Sequence, residues 1–353
     1  MRSHLSPSLS SSRIWLAANC SLIFPGLGQI YRRQVLSGAA MASTAGGLIS
    51  FILWSIFAPQ GNTVWGLGAI VAFLSLYGLS IVDASLSSGD RGAEPEPRNT
   101  PVKDPWYTVF LSQILPGLGH LYLHRLGWGM TLLTTGIVTA LLTQDHPRLL
   151  PLPVAIWALG CWHSYRVALS PHHRPSPFIS FIVVGLVIVR LIVGSIPAWV
   201  SHAVEQCVVP SESMLPTLHV GDRIFVQRKG SYRPQLGDIV VFNAPAAAIA
   251  QGQIKPDTLV VKRVIGLPGQ QVWVTGGQVF VNRQALGEPY IREAPRYEWG
   301  PEVVPPDSYF VLGDNRNFSG DSHLWGFVTA PDILGPGYKI YWPPSRVQSL
   351  EIS

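Results

Sequence analysis

The sequence predicts a multi-span α-helical membrane domain followed by an all-β (β-rich) extracytoplasmic domain. Three observations carry that expectation. Of 353 residues, 47% are apolar and only 13% are charged, which is too greasy for two soluble domains. The long apolar runs all lie before residue 204, and short strand-like runs separated by turn residues begin after Pro197. The charge divides in the same place. Residues 1–204 hold twelve Lys/Arg against six Asp/Glu, whereas residues 205–353 hold thirteen against fourteen. Basic residues that flank apolar runs set membrane topology and argue against a nucleic-acid surface.

Crossing the hydrocarbon takes about 20 mostly apolar residues. Five segments are predicted to do so: 36–58, 64–83, 128–143, 150–169 and 178–197, the third extending towards Leu126. Two near-copies of one motif precede the first and third. Ser21-Leu-Ile-Phe-Pro25-Gly-Leu-Gly28-Gln-Ile-Tyr31 and Ser112-Gln-Ile-Leu-Pro116-Gly-Leu-Gly119-His-Leu-Tyr122 are offset by 91 residues, as are Gly38 and Gly129. This reads as an internal duplication with parallel copies, about 21–83 and 112–169. Pro and two glycines oppose a continuous helix through the motif, so each is expected to form a short interfacial or re-entrant segment or a close packing contact. The domains expected are a membrane domain of four spans over 1–175, a fifth span and linker over 176–204, and a β-rich domain over 205–353.

Orientation follows the basic residues. Arg2, Arg13, Arg32 and Arg33 precede the first span, Arg91, Arg98, Lys103 and Arg125 lie between the second and third, and Arg166 and Arg174 flank the loop before the fifth. Five spans from an inside N-terminus place all of these inside and residues 198–353 outside. Arg190 interrupts the fifth span at a cost of roughly 3 kcal/mol, against roughly −6 kcal/mol from the apolar residues around it. The span survives, with Arg190 expected to face other helices or snorkel. No small-residue cleavage site follows the N-terminal basic flank, so no removable leader is expected. Cys20, Cys161 and Cys207 are widely spaced, which supports neither a disulfide framework nor a zinc site.

Three segments of the outer domain carry candidate chemistry. Pro210-Ser211-Glu-Ser213-Met214-Leu-Pro216-Thr217-Leu218 presents two hydroxyls on a loop stiffened by proline. Val260-Val261-Lys262-Arg263-Val264-Ile265 reads as a strand buried on both faces, and the pattern alone does not say which base points at a site. Chemistry chooses Lys262, because a buried amine can surrender its proton and a guanidinium cannot. The third segment is Gly313-Asp314-Asn315-Arg316-Asn317-Phe318-Ser319-Gly320-Asp321-Ser322-His323. A triad of Ser322, His323 and Asp321 is disfavoured, since neighbouring side chains in an extended segment point to opposite faces.

Together these segments resemble the bacterial type I signal peptidases, a peptidase S26 type with a serine/lysine dyad. The resemblance covers residues 205–344 and rests on five strings in family order: 210–218, Gly-Asp at 221–222, Gly-Asp-Ile-Val-Val-Phe at 237–242, Lys-Arg-Val-Ile-Gly-Leu-Pro-Gly at 262–269 and Gly-Asp-Asn-Arg at 313–316. It implies a membrane-bound serine endopeptidase without a cofactor or metal, with Ser213 as nucleophile and Lys262 as general base. It further implies an oxyanion hole from the Ser213 N–H and the Ser211 hydroxyl, Ser319 orienting the lysine, and Asp321 and Arg316 as structural partners. Asn317, His323 and Glu212 depart from the family's usual residues without removing any of these groups. The implied partners are secretory preproteins with their signal peptides, cleaved after small residues, together with the lipid bilayer and the translocation machinery. Nucleic acid is excluded. The implied location is the plasma (inner) membrane with the catalytic domain outside, or another internal membrane such as the thylakoid. The competing reading is a membrane scaffold or transport-like protein with an inactive peptidase domain. The resemblance explains nothing about residues 1–170.

Overall fold

The computed structural model describes residues 9–86, 103–169, 174–228 and 232–350, in two compact units. Arg2, Arg91 and Arg98, used above for orientation, lie outside the described residues. The first unit spans Met1–Ile52 and Gly68–Trp199, and the second Leu53–Leu67 and Val200–Ser353.

The helices come in an order that recurs, with the end of α3 and the start of α4 belonging to the second unit. Helices α1 (Leu9–Ile23), α2 (Leu27–Tyr31), α3 (Val35–Phe57) and α4 (Thr63–Leu86) are followed by α5 (Pro105–Ile114), α6 (Leu118–Tyr122), α7 (Leu126–Asp145) and α8 (Pro151–Ala168), and then by α9 (Phe178–Ala203). The sequence pattern passed over α1 and α5, although Asp104 caps α5 by accepting from the Trp106 N–H, with Pro105 in the first turn. At both Pro-Gly motifs the chain breaks between helices. Gly26 and Gly117 each take φ 94, a conformation open mainly to glycine. A Cβ at Gly26 would stand 2.2 Å from the Gly38 carbonyl oxygen, and one at Gly117 2.2 Å from that of Gly129. The glycine at the matching offset is therefore the floor on which each break sits.

Among the described residues, four helices are long and apolar enough to cross a membrane: α3, α4, α7 and Phe178–His202 of α9. Of the five expected spans, these correspond to the first, second, third and fifth. Helix α8 forms at the expected place but falls short in apolarity, because its final turns carry His163, Ser164 and Arg166. Helix α9 also runs past its expected end, with Pro197 inside it. Arg190 faces protein, donating to the Gln113 carbonyl at 3.1 Å while its guanidinium lies 3.9 Å from the Trp157 ring centroid. Partners of this kind relieve the cost of a charge at membrane depth.

The second unit is β-rich, with every strand pair antiparallel. Its strands are β1 (Val204–Val208), β2 (Arg223–Gln227), β3 (Ile239–Asn243), β4 (Leu259–Gly266), β5 (Gln271–Thr275), β6 (Gln278–Val281), β7 (Gln284–Ala285), β8 (Trp299–Val303), β9 (Ser308–Leu312), β10 (Val328–Thr329), β11 (Ile333–Trp342) and β12 (Gln348–Ser349). One sheet runs β1-β2-β11-β3-β4-β9-β10 with β12 beside β11, and the other runs β7-β6-β5-β8. Gly276 and Gly277, both at positive φ, close the β5–β6 hairpin, as the paired glycines predict. Strand β4 lies inside the larger sheet between β3 and β9, and from Val260 to Gly266 every residue is buried. That burial on both faces is what the unbroken apolar run around Lys262 and Arg263 foretold.

The breaks generate a paired prediction. Gly117→Ala should lower the stability of the protein by at least about 2 kcal/mol, through strain and a backbone clash. Gly127→Ala, where a Cβ meets nothing within 4 Å, should be neutral or mildly stabilising. Thermal unfolding of both variants in detergent checks this, and equal midpoints would contradict it.

Candidate active site

Ser213 sits in a tight 3-10 turn, Glu212–Met214, between the extended residues Ser211 and Leu215. The turn is held from behind by the loop that follows β9. The Asn315 N–H donates to the Ser213 carbonyl at 3.1 Å, and its side-chain amide donates to the Glu212 carbonyl, also at 3.1 Å. Gly313 makes this approach feasible, because a Cβ there would lie 2.4 Å from the Ser213 carbonyl oxygen and 2.2 Å from Ser319 Oγ.

Lys262 reaches the same turn from β4. Its Nζ lies 2.7 Å from Ser213 Oγ, and Ser211 Oγ is 3.2 Å from the same oxygen. Ser213 is 8% exposed and Lys262 4%. Burial holds the Lys262 amine down at about 8, working against the pull of the Asp321 and Asp314 carboxylates, which favour its charged form. Holding the charged form in this site costs roughly 3 kcal/mol relative to water.

Arg263, one residue on, points to the other face of the strand and holds the neighbouring loops together. It donates to both oxygens of Asp314 at 2.8 and 2.7 Å and to the Gly237 carbonyl at 2.8 Å, with Tyr290 stacked at 3.9 Å. The strand thus sorts its two bases by partner. The guanidinium takes the carboxylate, and the amine meets a hydroxyl.

The remaining expected residues divide. Arg316 is fully buried and forms a bidentate pair with Glu288, at 2.8 and 2.6 Å, and also donates to the Gly313 carbonyl. Asp321 accepts from the Gly313 N–H at 2.9 Å, while its other oxygen lies 2.6 Å from His323 Nδ1. Ser322 turns away and accepts from the Val311 N–H, so these three contiguous residues form no relay. Ser319 differs from the expectation. Its Oγ is buried without a hydrogen-bond partner, packed against Gly313 rather than bonded to Lys262. Sequence reasoning missed Asp314, Asn315, Arg263 and Glu288 as parts of the site. The first three stand inside quoted motifs, but Glu288 lies in the irregular stretch between β7 and β8 with no local signal.

A cavity of about 310 Å³ opens beside the Ser213–Lys262 contact, with apolar walls from Val209, Met214, Leu259 and Val261. Cys207, two residues before the wall residue Val209, is buried in the core cluster. No cluster of three or more metal-ligating side chains occurs among the described residues.

The family described as "Signal peptidase, peptidase S26" matches residues 178–342. A signal peptidase I of Leptolyngbya laminosa is 52% identical over 149 residues, which cover 41% of this chain and 72% of that relative. The chain belongs to the signal peptidase I family. It is a serine peptidase, and residues 1–177 lie outside the family match. The signal peptidase I P of Bacillus subtilis subsp. natto is 36% identical over 157 residues, covering 41% of this chain and 80% of that one. Thylakoidal processing peptidase 1 of Arabidopsis thaliana is 38% identical over 151 residues, covering 42% and 44%.

Activity that draws on the neutral Lys262 amine is expected to rise with pH through a midpoint of about 8, low below it and level above. The check is kcat/KM for a short peptide across pH 6 to 10 or thereabouts. A flat profile with rate-limiting chemistry would contradict the assignment.

Proposed function

We propose that this chain removes N-terminal signal peptides from exported preproteins, with Ser213 as nucleophile and Lys262 as general base. The observation that carries this reading is the 2.7 Å contact between a buried amine and the serine hydroxyl, next to an apolar cavity. Serine is a weak nucleophile until a positioned base takes its proton. The neutral amine takes that proton as Ser213 Oγ attacks the scissile carbonyl carbon. The carbonyl oxygen becomes an oxyanion, for which the Ser213 N–H and the Ser211 hydroxyl are the donors within reach. When the C–N bond breaks, Lys262 returns the proton to the departing amine of the mature protein. Water, deprotonated by the same amine, then hydrolyses the acyl-enzyme and frees Ser213.

The small cavity fits short apolar side chains on the signal-peptide side of the bond, in accord with cleavage after small residues. Asp321 and Arg316 act behind the site by holding Gly313, and with it the loop that grips the Ser213 turn. Signal peptides are cut as they emerge from the membrane, so the reading places the catalytic domain outside, on a plasma (inner) membrane or a thylakoid, within reach of the translocation machinery. The basic residues before α3 and before α7 support that orientation.

Ser213→Ala and Lys262→Ala should each lower turnover by at least about 10³-fold, with little further loss in the double variant, because residues that act as one unit fail together. The assay is cleavage of a preprotein by purified protein, with sequencing of the new N-terminus. Near-normal cleavage by either single variant would remove the dyad. In spheroplasts, added protease should digest residues 205–353 and spare a tag placed in 85–105. The reverse pattern would overturn the orientation.

A further inference from the structure

The second unit contains one stretch from the N-terminal half, residues 53–67, which lies outside the region matched by the family. Its first part is the end of α3, where helix geometry leaves the last carbonyls without N–H partners. The sequence makes the shortage worse. The Ser55 carbonyl would normally accept from residue 59, and residue 59 is proline, which has no N–H. Gly61 keeps the turn tight, since a Cβ there would come within 2.5 Å of the Trp54 and Ser55 carbonyl oxygens.

A side chain from the β-sheet makes up the deficit. Lys339, in the middle of β11 and fully buried, donates from Nζ to the carbonyls of Ser55, Ile56 and Ala58, at 2.9, 2.8 and 3.1 Å. An ammonium has three protons, and all three are used. A cation at a helix C-terminus also meets the negative end of the helix dipole. Beside it, Phe57 stacks on Phe225, with centroids 5.8 Å apart, and Phe225 stacks on Tyr341 at 4.1 Å.

We propose that Lys339 is a docking post that holds the α3–α4 turn on the sheet of the second unit. The proposal rests on reading the second unit as the peptidase domain. On this view the turn is a working part of the peptidase unit that serves substrates arriving from the membrane. The number of crossings follows as well. The turn and Ser213 must share one side of the bilayer, so an even number of crossings separates residue 62 from residue 204. Helices α4, α7 and α9 supply three. Helix α5, at ten residues, is too short to cross. The fourth crossing is therefore α8, despite its lower apolarity.

The test uses the full chain in proteoliposomes with two substrates, a membrane-inserted preprotein and a short soluble peptide. Lys339→Met should slow preprotein cleavage about tenfold, the scale of one lost charge-assisted hydrogen bond, and leave peptide kcat/KM within about twofold. Pro59→Ala restores an N–H to the Ser55 carbonyl, so it should recover about threefold of the loss in the Lys339→Met background and do little alone. Unchanged preprotein cleavage in Lys339→Met would overturn the proposal. So would equal loss on both substrates with no recovery from Pro59→Ala. A failure of the Ser/Lys reading shows separately, as peptide cleavage that survives Ser213→Ala.

Discussion

An amine buried against a serine hydroxyl is the arrangement around which the second unit is organised. Taking an ammonium out of water is costly, and the usual remedy is a carboxylate in direct contact. At Lys262 that remedy is withheld. Asp314, in the signature loop, is claimed by Arg263, and Asp321 is taken up by Gly313 and His323. Both carboxylates still act through space, but neither touches Nζ, and burial wins. The lysine is left able to release its proton near neutrality, with Ser213 as the group beside it. A surface lysine, solvated and charged, could not serve.

Such an amine is useful only if the serine stays in place, and most of the buried polar structure serves that end. Asn315 grips two successive carbonyls of the Ser213 turn. Arg316, itself locked to Glu288, holds the Gly313 carbonyl, while Asp321 holds the Gly313 N–H. Removing one partner from a buried pair of this kind costs about 3–5 kcal/mol, so the loop has few alternatives to its observed shape. In the membrane unit the governing constraint is different. Backbone groups in or near hydrocarbon must find partners within the protein. The two Pro-Gly breaks and the Arg190 contact with the Gln113 carbonyl are separate answers to that demand, and in the second unit Lys339 meets the same need at the end of α3.

Much of this was legible in the residues. The short strand-like runs after Pro197 and the turn residues between them marked the second half as β-rich, and the two-faced apolar run marked β4 as buried on both sides. Strand β8 was not legible, because Trp299-Gly300-Pro301 reads as a turn and is recruited only by pairing with β5. The start of β11 was hidden in the same way by Gly335-Pro336-Gly337. Ser213, Lys262, Ser211 and Arg316 could be named in advance as candidates because they lie in strings whose order is specific, and Asp321 because it follows the last string in the same loop. The partners could not. Glu288 is 28 residues from Arg316, and Lys339 is 284 residues from Ser55. Nothing local records such pairings. The expected bond from Ser319 to Lys262 was carried by resemblance alone, and the observed packing against Gly313 has no sequence signal.

The central claim is that Lys262 is neutral when it meets Ser213, and its own titration tests that most directly. With isotope-labelled lysine and a Lys262→Met variant to assign the resonance, the ε-position can be followed by NMR in detergent. The account predicts a midpoint of about 8. A Lys262 that stays protonated to the ordinary lysine range, near about 10.4, would contradict it.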